Sequence, residues 1–486
     1  MKADRVPFSL KFAYGIGQLP SGLHGYAVGI FLLFYYNQVL GLSAGIAGLT
    51  IGVATVVDSV TDPLVGSISD RWRSPNGRRH PFIFISILPV ALSFYLLFNP
   101  LVTSEVGLCI WLVVFSNVFH TAVSLYVVPH LALGAEISED YDERSALVAY
   151  RHFFTYVGGL LVFGLGFGVF FVETAEFQNG QLNAAAYPPF ALLLSILIAG
   201  SLFWTAWGTR STIPSLLVPP EGPTITPVDS LVRALRDMLG VLRIRNFPWF
   251  FSGLLTLYIT VGVTGALDLY VLTFFWDLGP ADVFWVLLAY PIGVLIGSPL
   301  APAIIGRWGK KMAIVGGCLA WAFWQMLPVS LRLLDLFPEN GHALLLPLLI
   351  SIKFVQGACT TQGDVAGGAI IPDLADEQEL DTGIRQEGVI VAAFSFSGKA
   401  TAGLGSIFAG LALEAIDWPV GENIQSAADI PSATLASLGW VCGPLVAFLA
   451  LGSIWFFLRL NLSRERFDAV RKELEERRGN PLVDDA

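Results

Sequence analysis

The sequence contains few charged residues for its length, and this scarcity excludes a soluble protein. Only 14% of its 486 residues are Asp, Glu, Lys or Arg, whereas soluble domains carry about a quarter. Hydrophobic residues make up 54% of the chain, and its mean hydropathy is +0.66. So little polar surface cannot cover the folded cores of such a chain in water. Long apolar runs between short charged loops instead indicate a membrane protein with several spans.

Cysteines and enzyme motifs are scarce as well. The chain has 4 cysteines, all within apolar runs and without the spacing of metal ligands. We expect free thiols that pack as small hydrophobic side chains. The zinc-protease motif HExxH and the phosphate-binding P-loop are absent. We therefore expect no enzyme activity, no cofactor and no nucleic-acid partner.

Twelve apolar runs are long enough to cross a hydrocarbon core of roughly 30 Å. They cover residues 12–40, 43–69, 81–100, 106–135, 144–172, 188–209, 248–276, 281–306, 312–332, 343–372, 385–415 and 434–459. With the N-terminus inside, 24 of the 28 lysines and arginines fall in cytoplasmic segments. Because Lys and Arg are enriched in cytoplasmic loops, we expect both termini in the cytoplasm of a plasma membrane, in bacteria the inner membrane.

The chain divides near its middle into two similar halves. "DPLVGSISDRW" (62–72) aligns without gaps with "SPLAPAIIGRW" (298–308) at an offset of 236 residues. Repeated halves are typical of transporters that enclose a midplane cavity. We predict an all-α membrane protein with two pseudo-symmetric six-helix bundles and a proline-rich, basic linker. The predicted boundaries are 1–209 for the first bundle, 210–247 for the cytoplasmic linker, 248–460 for the second bundle and 461–486 for a cytoplasmic tail.

Two acids in the second predicted span are the strongest functional signal. Asp58 and Asp62 are one helical turn apart, so both carboxylates face the same way. An acid at bilayer depth costs several kcal/mol unless it is paired, protonated or solvated. One interpretation is an ion pair that holds helices together. The other is a site for Na⁺ or H⁺, completed by hydroxyl groups and by the polar face of Asn117, His120 and Ser124 on helix 4.

Several stretches resemble one family of transporters. "AYGIGQ", "YYNQVLGLS", "DSVTDPLVGSISDRW", "GRRHPF" and "SGKA" look like the glycoside–pentoside–hexuronide:cation symporters, the melibiose-permease-like branch of the major facilitator superfamily. The resemblance implies the major facilitator fold. It also places Asp58, Thr61, Asp62 and Ser124 on the cation site, with Lys399 as the family's helix 11 lysine. "GRRHPF" is also similar to proton-coupled sucrose carriers, so Na⁺ and H⁺ both stay open.

The sugar site departs from that family. Its galactoside-binding acids on helices 1 and 4 align with Gly22 and Val127, and its helix 4 tryptophan aligns with Leu131. Its helix 5 arginine aligns with His152, next to Arg151. Galactoside specificity is therefore not carried over to this chain.

Other polar residues in the spans are candidates for substrate binding. Helix 10 carries a polar stripe at helical spacing, formed by Lys353, Gln356, Thr360 and Asp364. Asp268 on helix 7 shares a predicted depth with Lys353, which suits either an ion pair or a substrate contact. The candidate substrate residues are Gln18, Ser21, His120, Arg151, His152, Asp268, Lys353, Gln356 and Asp364. The inner loop after helix 2 matches the superfamily's gating signature at Asp70, Arg71, Arg78 and Arg79.

These observations predict a cation-coupled symporter of a sugar or glycoside that works by alternating access. The expected partners are the solute, the coupling cation and the bilayer, and we expect a monomer. Transport of another organic solute or of a lysophospholipid is the alternative within the superfamily. A membrane enzyme is disfavoured because the two acids share one helix rather than facing each other.

Overall fold

The structure is a computed structural model. It describes residues 5–138, 140–216, 236, 240, 245–382, 387–421, 424–461, 470, 472–474 and 476. Most of the predicted linker and most of the predicted tail lie outside these residues. Every regular element in the described part is a helix, which confirms the all-α class.

The first half begins with a broken helix. Helices α1 (Phe8–Gly15) and α2 (Leu19–Tyr26) are joined by one 3-10 turn, and the span continues through two π-helical segments, Ala27–Leu32 and Tyr35–Val39. The further helices are α3 (Ala44–Arg71), α4 (His80–Leu97), α5 (Glu105–Ile137), α6 (Tyr141–Leu165) and α7 (Tyr187–Gly208). These bounds match the first six predicted spans to within a few residues.

The second half repeats this arrangement. Its helices are α8 (Phe247–Tyr270), α9 (Pro280–Gly297), α10 (Ala301–Leu333), α11 (Leu345–Thr382), α12 (Glu387–Ala415), α13 (Ser432–Trp440) and α14 (Val446–Leu458). Gly309 interrupts α10 with φ +80°, a backbone conformation that glycine adopts without strain. The break falls between the predicted eighth and ninth spans.

Eight stretches of the described chain are long and apolar enough to cross a membrane. One of them, Pro280–Leu333, contains 54 residues and carries two predicted spans around Gly309. The helical segments at the other predicted spans are interrupted or more polar. Together with these segments, the described helices lie at all twelve predicted spans.

Capping side chains set the start of two long helices. Ser104 accepts a hydrogen bond from the backbone N–H of Gly107 and begins α5. Asp140 accepts from the N–H groups of Asp142 and Glu143 and begins α6. Such side chains satisfy backbone donors that the first helical turn leaves unpaired.

The chain forms two compact units. The first comprises Met1–Leu231, Gly265–Phe284 and Ser406–Leu435, and the second comprises Val232–Thr264, Trp285–Gly405 and Ala436–Ala486. The first unit therefore holds one end of α8 and one end of α12 together with the predicted first bundle. In the second unit, Phe250, Ile314, Ile370 and Phe457 belong to one buried apolar cluster.

Candidate functional site

A buried polar cluster surrounds Asp58. This residue lies on α3 and is only 4% exposed. Ser124 on α5 donates its hydroxyl to Asp58 Oδ1 at 2.5 Å, and His120 Nδ1 lies 3.9 Å from Oδ2. Thr61 Oγ1 donates to the Asp58 carbonyl oxygen at 2.9 Å and lies 3.4 Å from Ser124 Oγ. The packing of α3 against α5 thus brings together four of the residues that the sequence singled out.

The oxygen atoms of this cluster suit a small hard cation. Asp62 is half-buried one turn further along α3, on the same face as Asp58. In the described part of the chain, no group of three or more His, Cys, Asp or Glu side chains is arranged as a metal site. A bound Na⁺ would therefore depend on the hydroxyls of Thr61 and Ser124 as well as on the two carboxylates. Lys399, on α12, is half-buried and belongs to the second unit.

The helix 1 candidates contact each other. Gln18 Nε2 donates to Ser21 Oγ at 2.8 Å, and Gln18 Oε1 is buried without a hydrogen-bond donor among the described residues. Gly22 is buried at the crossing with α6, where a Cβ atom would lie 2.0 Å from the carbonyl oxygen of Thr155. No side chain fits at Gly22, so the family's helix 1 acid has no space at this position.

Arg151 and His152 project differently from α6. Arg151 is half-buried beside the hydroxyl of Tyr14. Its Nε is buried and has no acceptor among the described residues. His152 is exposed. Of the two, Arg151 has the surroundings expected of a residue that binds a polar or anionic group inside the helical bundle.

The candidates in the second half occupy different surroundings. Gln356 is 1% exposed and donates to Gln325 Oε1 at 3.0 Å, so it joins α11 to α10. Asp364 lines a cavity of about 110 Å³ within the second unit. Lys353 is half-buried on α11 in the same unit, and Asp268 is half-buried in the first.

The arginine loop forms an ion-pair network within the first unit. Arg78 Nη2 lies 2.6 Å from Glu136 Oε1, and Arg79 Nη2 lies 3.0 Å from the same oxygen. Arg79 is 4% exposed and also pairs with Asp70 at 2.5 Å. Arg71 is exposed. The loop thus ties α3 and α4 to the end of α5, and the sequence had not singled out Glu136 as its central acid.

A matching pair occurs in the second unit. Lys310 Nζ, just after the Gly309 break, lies 2.7 Å from both carboxylate oxygens of Asp373 on α11. The two halves therefore repeat not only their helices but also a cation–carboxylate contact after the second helix of each half.

A second set of contacts lies at the opposite end of the first unit, and the sequence had not indicated it. The indole N–H of Trp418 donates to Gln38 Oε1 at 2.8 Å, and the hydroxyl of Tyr270 donates to Asn37 Oδ1 at 2.8 Å. Gln181 Nε2 donates to Thr273 Oγ1 at 2.9 Å. All six residues are buried. Its trace in the sequence is the polar pair Asn37 and Gln38 in "YYNQ", within an aromatic stretch, which the sequence had not connected with distant residues.

Comparison with known proteins agrees with this architecture. The crystal structure of the nucleoside transporter NupG has a similar fold, with a TM-score of 0.62 and 13% identity, and covers 92% of this chain and 98% of its own. An Escherichia coli protein provisionally named a glycoside/cation symporter, YagG, is 26% identical over 96% of this chain and 95% of its own. The isoprimeverose transporter of Lactiplantibacillus pentosus is 23% identical over 99% of this chain and 95% of its own.

A Salmonella typhimurium protein provisionally named a sulfoquinovose importer is 28% identical over 97% of this chain and 94% of its own. The family profile described as MFS/sugar transport protein matches residues 13–464. The sequence motifs, the helical architecture and these matches agree over nearly the whole chain. This protein therefore belongs to the MFS sugar transport family, the glycoside–pentoside–hexuronide:cation symporter branch of the major facilitator superfamily.

Proposed function

We propose that this protein is a symporter that couples the uptake of a sugar or glycoside to the entry of Na⁺ or H⁺. The observation that carries the proposal is the cluster around Asp58. A carboxylate that is 4% exposed, with a serine hydroxyl at 2.5 Å, sits on a membrane helix. A buried membrane acid is by default a functional site, and the groups that contact Asp58 include a serine hydroxyl and an imidazole.

The coupling follows from charge. Two carboxylates on one face of α3 are tolerable inside the membrane when a cation or protons neutralise them. The loaded and empty sites therefore favour different conformations of the transporter. By thermodynamic linkage the cation must raise solute affinity by the same factor that the solute raises cation affinity. Lys399 is the proposed internal cation that compensates the acids after the ion leaves.

The proposed orientation has both termini in the cytoplasm of the plasma membrane, the inner membrane in bacteria. The solute would bind through the polar side chains named from helices 1, 4, 5, 7 and 10. The Asp70, Arg78 and Arg79 network would stabilise one state of the cycle. Transport with the protein as a monomer is part of the same proposal.

A thermal-shift screen tests this function directly. Purified protein is heated with a panel of sugars and glycosides, each with Na⁺, with Li⁺ or with neither, and over a range of pH. A ligand that binds the native state raises the melting temperature by mass action. The proposal requires a solute whose shift depends on one cation or on pH. If every stabilising sugar acts equally in the presence and absence of cations and at all pH values, cation coupling is refuted.

Arg151 favours a narrower candidate, an anionic sugar. It is the one lysine or arginine inside the predicted spans of the first half, apart from Arg144 at a span boundary, and its Nε lies buried without a described acceptor. A guanidinium suits a sulfonate or carboxylate because it presents several donors in one plane. The sulfoquinovose-importer name of one relative fits this chemistry. Comparing a sulfonated with an unsulfonated hexose in the thermal-shift screen distinguishes the two, because an anionic site should select the sulfonated sugar.

The alternatives outside sugar transport have weaker support. The letters GLSAG at residues 41–45 fit the nucleophile motif GxSxG. That motif works at a strand-to-helix turn, whereas Ser43 here precedes α3 after a helical segment. A lysophospholipid carrier would stay insensitive to every sugar in the screen and would be stabilised by lysophospholipid instead.

A further inference from the structure

The second unit holds an acid that the cation site does not use. Asp364 lies on α11 and lines a cavity of about 110 Å³, which has room for several water molecules. The cavity is formed by α8, α9, α10 and α11, and all of its lining residues belong to the second unit. Asp364 is exposed to it.

The lining of this cavity is mainly apolar and aromatic. Its lining residues include Leu254, Leu257, Val261, Ile314 and Trp321. Leu254, Leu257 and Val261 recur on one face of α8. Carbon-lined walls of this kind solvate an ion poorly. A lone charged group in such a place needs a specific partner.

No ionic partner is present among the described residues. Asp364 makes no hydrogen bond or ion pair there, and none of the residues lining the cavity carries a positive charge. The titratable groups that face it are Tyr258 on α8, Tyr290 on α9 and Cys318 on α10. The hydroxyl of Thr360, one turn away, already donates to the Gln356 carbonyl oxygen at 2.6 Å.

The groups that line the cavity favour a proton over Na⁺ as the cation that Asp364 binds. Na⁺ needs several oxygen ligands arranged around it, and the cavity offers one carboxylate, one threonine hydroxyl and two phenols. A proton needs only the carboxylate. Ionisable residues inside membrane helices that face a water-filled cavity mark proton relays and ion pathways.

We propose that Asp364 is a proton-binding site, separate from the cation site at Asp58 and Asp62. One carboxylate oxygen takes a proton from water in the cavity and forms a neutral carboxylic acid, and the proton returns to water when the acid ionises. Loading and release at this position make the second unit sensitive to pH without any cation bound to the first.

Infrared difference spectroscopy of the full-length protein in detergent tests the assignment without any sugar or transport assay. Spectra are recorded at acidic and alkaline pH with aspartate labelled by heavy carbon at its side-chain carboxyl. A protonated carboxyl gives a carbonyl stretch that the label shifts. In the wild type, we expect the label-sensitive bands that titrate with pH to include a component that arises from Asp364.

Three variants decide the outcome. Asp364→Asn should lose that component, and Asp364→Glu should keep a titrating carbonyl band that no longer responds to the aspartate label. Asp62→Asn, in the first unit, should retain the component unchanged. If the component persists in both Asp364 variants, or disappears in Asp62→Asn alone, Asp364 does not bind the proton. Because the Glu variant preserves the charge and most of the volume, it decides the matter even if Asp364→Asn does not fold.

Discussion

Gln38, in the first transmembrane segment, accepts a hydrogen bond at 2.8 Å from the indole N–H of Trp418, which lies 380 residues later in the chain. Both side chains are buried, at 2% and 7% exposure. Together with the bonds from Tyr270 to Asn37 and from Gln181 to Thr273, this contact fastens the ends of α8 and α12 to the first unit. In the proposed orientation these contacts lie on the outer side.

The helices α3 and α12 also pack closely against each other within the first unit. A Cβ atom at Gly48 would lie 2.4 Å from the carbonyl oxygen of Ser406, and one at Gly410 would lie 2.3 Å from that of Ala44. Only glycine permits two helix backbones to approach this closely. The proposed alternating-access cycle requires these contacts to separate, so they are where changes should alter the conformational equilibrium.

Gln38→Leu should loosen this end of the protein. The substitution leaves the Trp418 indole N–H buried without an acceptor, which costs about 1–3 kcal/mol. We expect faster hydrogen–deuterium exchange in residues 30–42 and 412–420. Trp440→Phe is the control, because Trp440 is 60% exposed and should leave exchange there unchanged. Equal exchange in Gln38→Leu and wild type would show that the bond does not hold this end closed.

Ser124→Ala should weaken cation binding. It removes the hydroxyl that lies 2.5 Å from Asp58 Oδ1 and that is proposed to complete the cation's oxygen shell. Losing a hydrogen bond to a charged group costs about 1.5–3 kcal/mol, which corresponds to roughly a tenfold to hundredfold loss of affinity. The measurement is the cation concentration that gives half of the stabilising effect on thermal unfolding.

Ser116→Ala provides the matched control on the same helix. Ser116 is 2% exposed and its hydroxyl has no hydrogen-bond partner among the described residues. Its removal should leave the cation dependence unchanged. If both serine variants respond to cations like the wild type, Ser124 is a packing residue and the proposed ion shell is wrong.

Asp62→Asn should abolish accumulation of the solute against its gradient while leaving weak downhill exchange. Removing one of the two carboxylates removes the charge that the cation is proposed to neutralise. Uptake is measured in proteoliposomes with the sugar that the thermal-shift screen identifies, with and without a cation or pH gradient. Asp70→Asn, in the last turn of α3, should slow turnover yet keep the gradient dependence. Full cation-driven accumulation by Asp62→Asn would make the two aspartates structural.

Glu136→Gln should destabilise the first unit more than Asp70→Asn. Both Arg78 and Arg79 pair with Glu136, and Arg79 is 4% exposed. Breaking a buried pair from one side costs about 3–5 kcal/mol because a charge stays behind without compensation. Asp70 is 57% exposed in its pair, and exposed pairs contribute about 0–1 kcal/mol. Denaturant unfolding in detergent compares them, and an equal loss of stability in the two variants would contradict the central role of Glu136.

Gly22→Ala should destabilise the crossing of the first segment with α6. The new Cβ would lie 2.0 Å from a backbone oxygen that cannot move aside as a flexible side chain could, and overpacking costs about 1–3 kcal/mol. Gly25→Ala is the matched control, since nothing lies within 4 Å of a Cβ there. A wild-type melting temperature for Gly22→Ala would show that the two helices can separate without cost.

The sequence by itself determined the membrane fold, because apolar runs long enough to span a bilayer must form helices that satisfy their own backbone. The span boundaries, the interruption near Gly309 and the family all followed from local composition and motif. The pairing of Asp58 with Ser124 was also within reach, since two polar faces on neighbouring helices pointed to it.

Contacts between distant segments were decided by the tertiary structure. Nothing in the pattern around Glu136 shows that two arginines converge on it, and no local rule joins Gln38 to Trp418. Gly22 looked like a position from which a binding acid was missing, but it is the point where two backbones touch. Asp364 and Gln356 looked like members of one polar stripe on the same helix. In the structure, Gln356 donates a hydrogen bond to Gln325 on α10, whereas Asp364 lines a cavity. Helical spacing tells which residues share a face, but only the packing of other helices against that face decides which of them pair, pack or remain open to water.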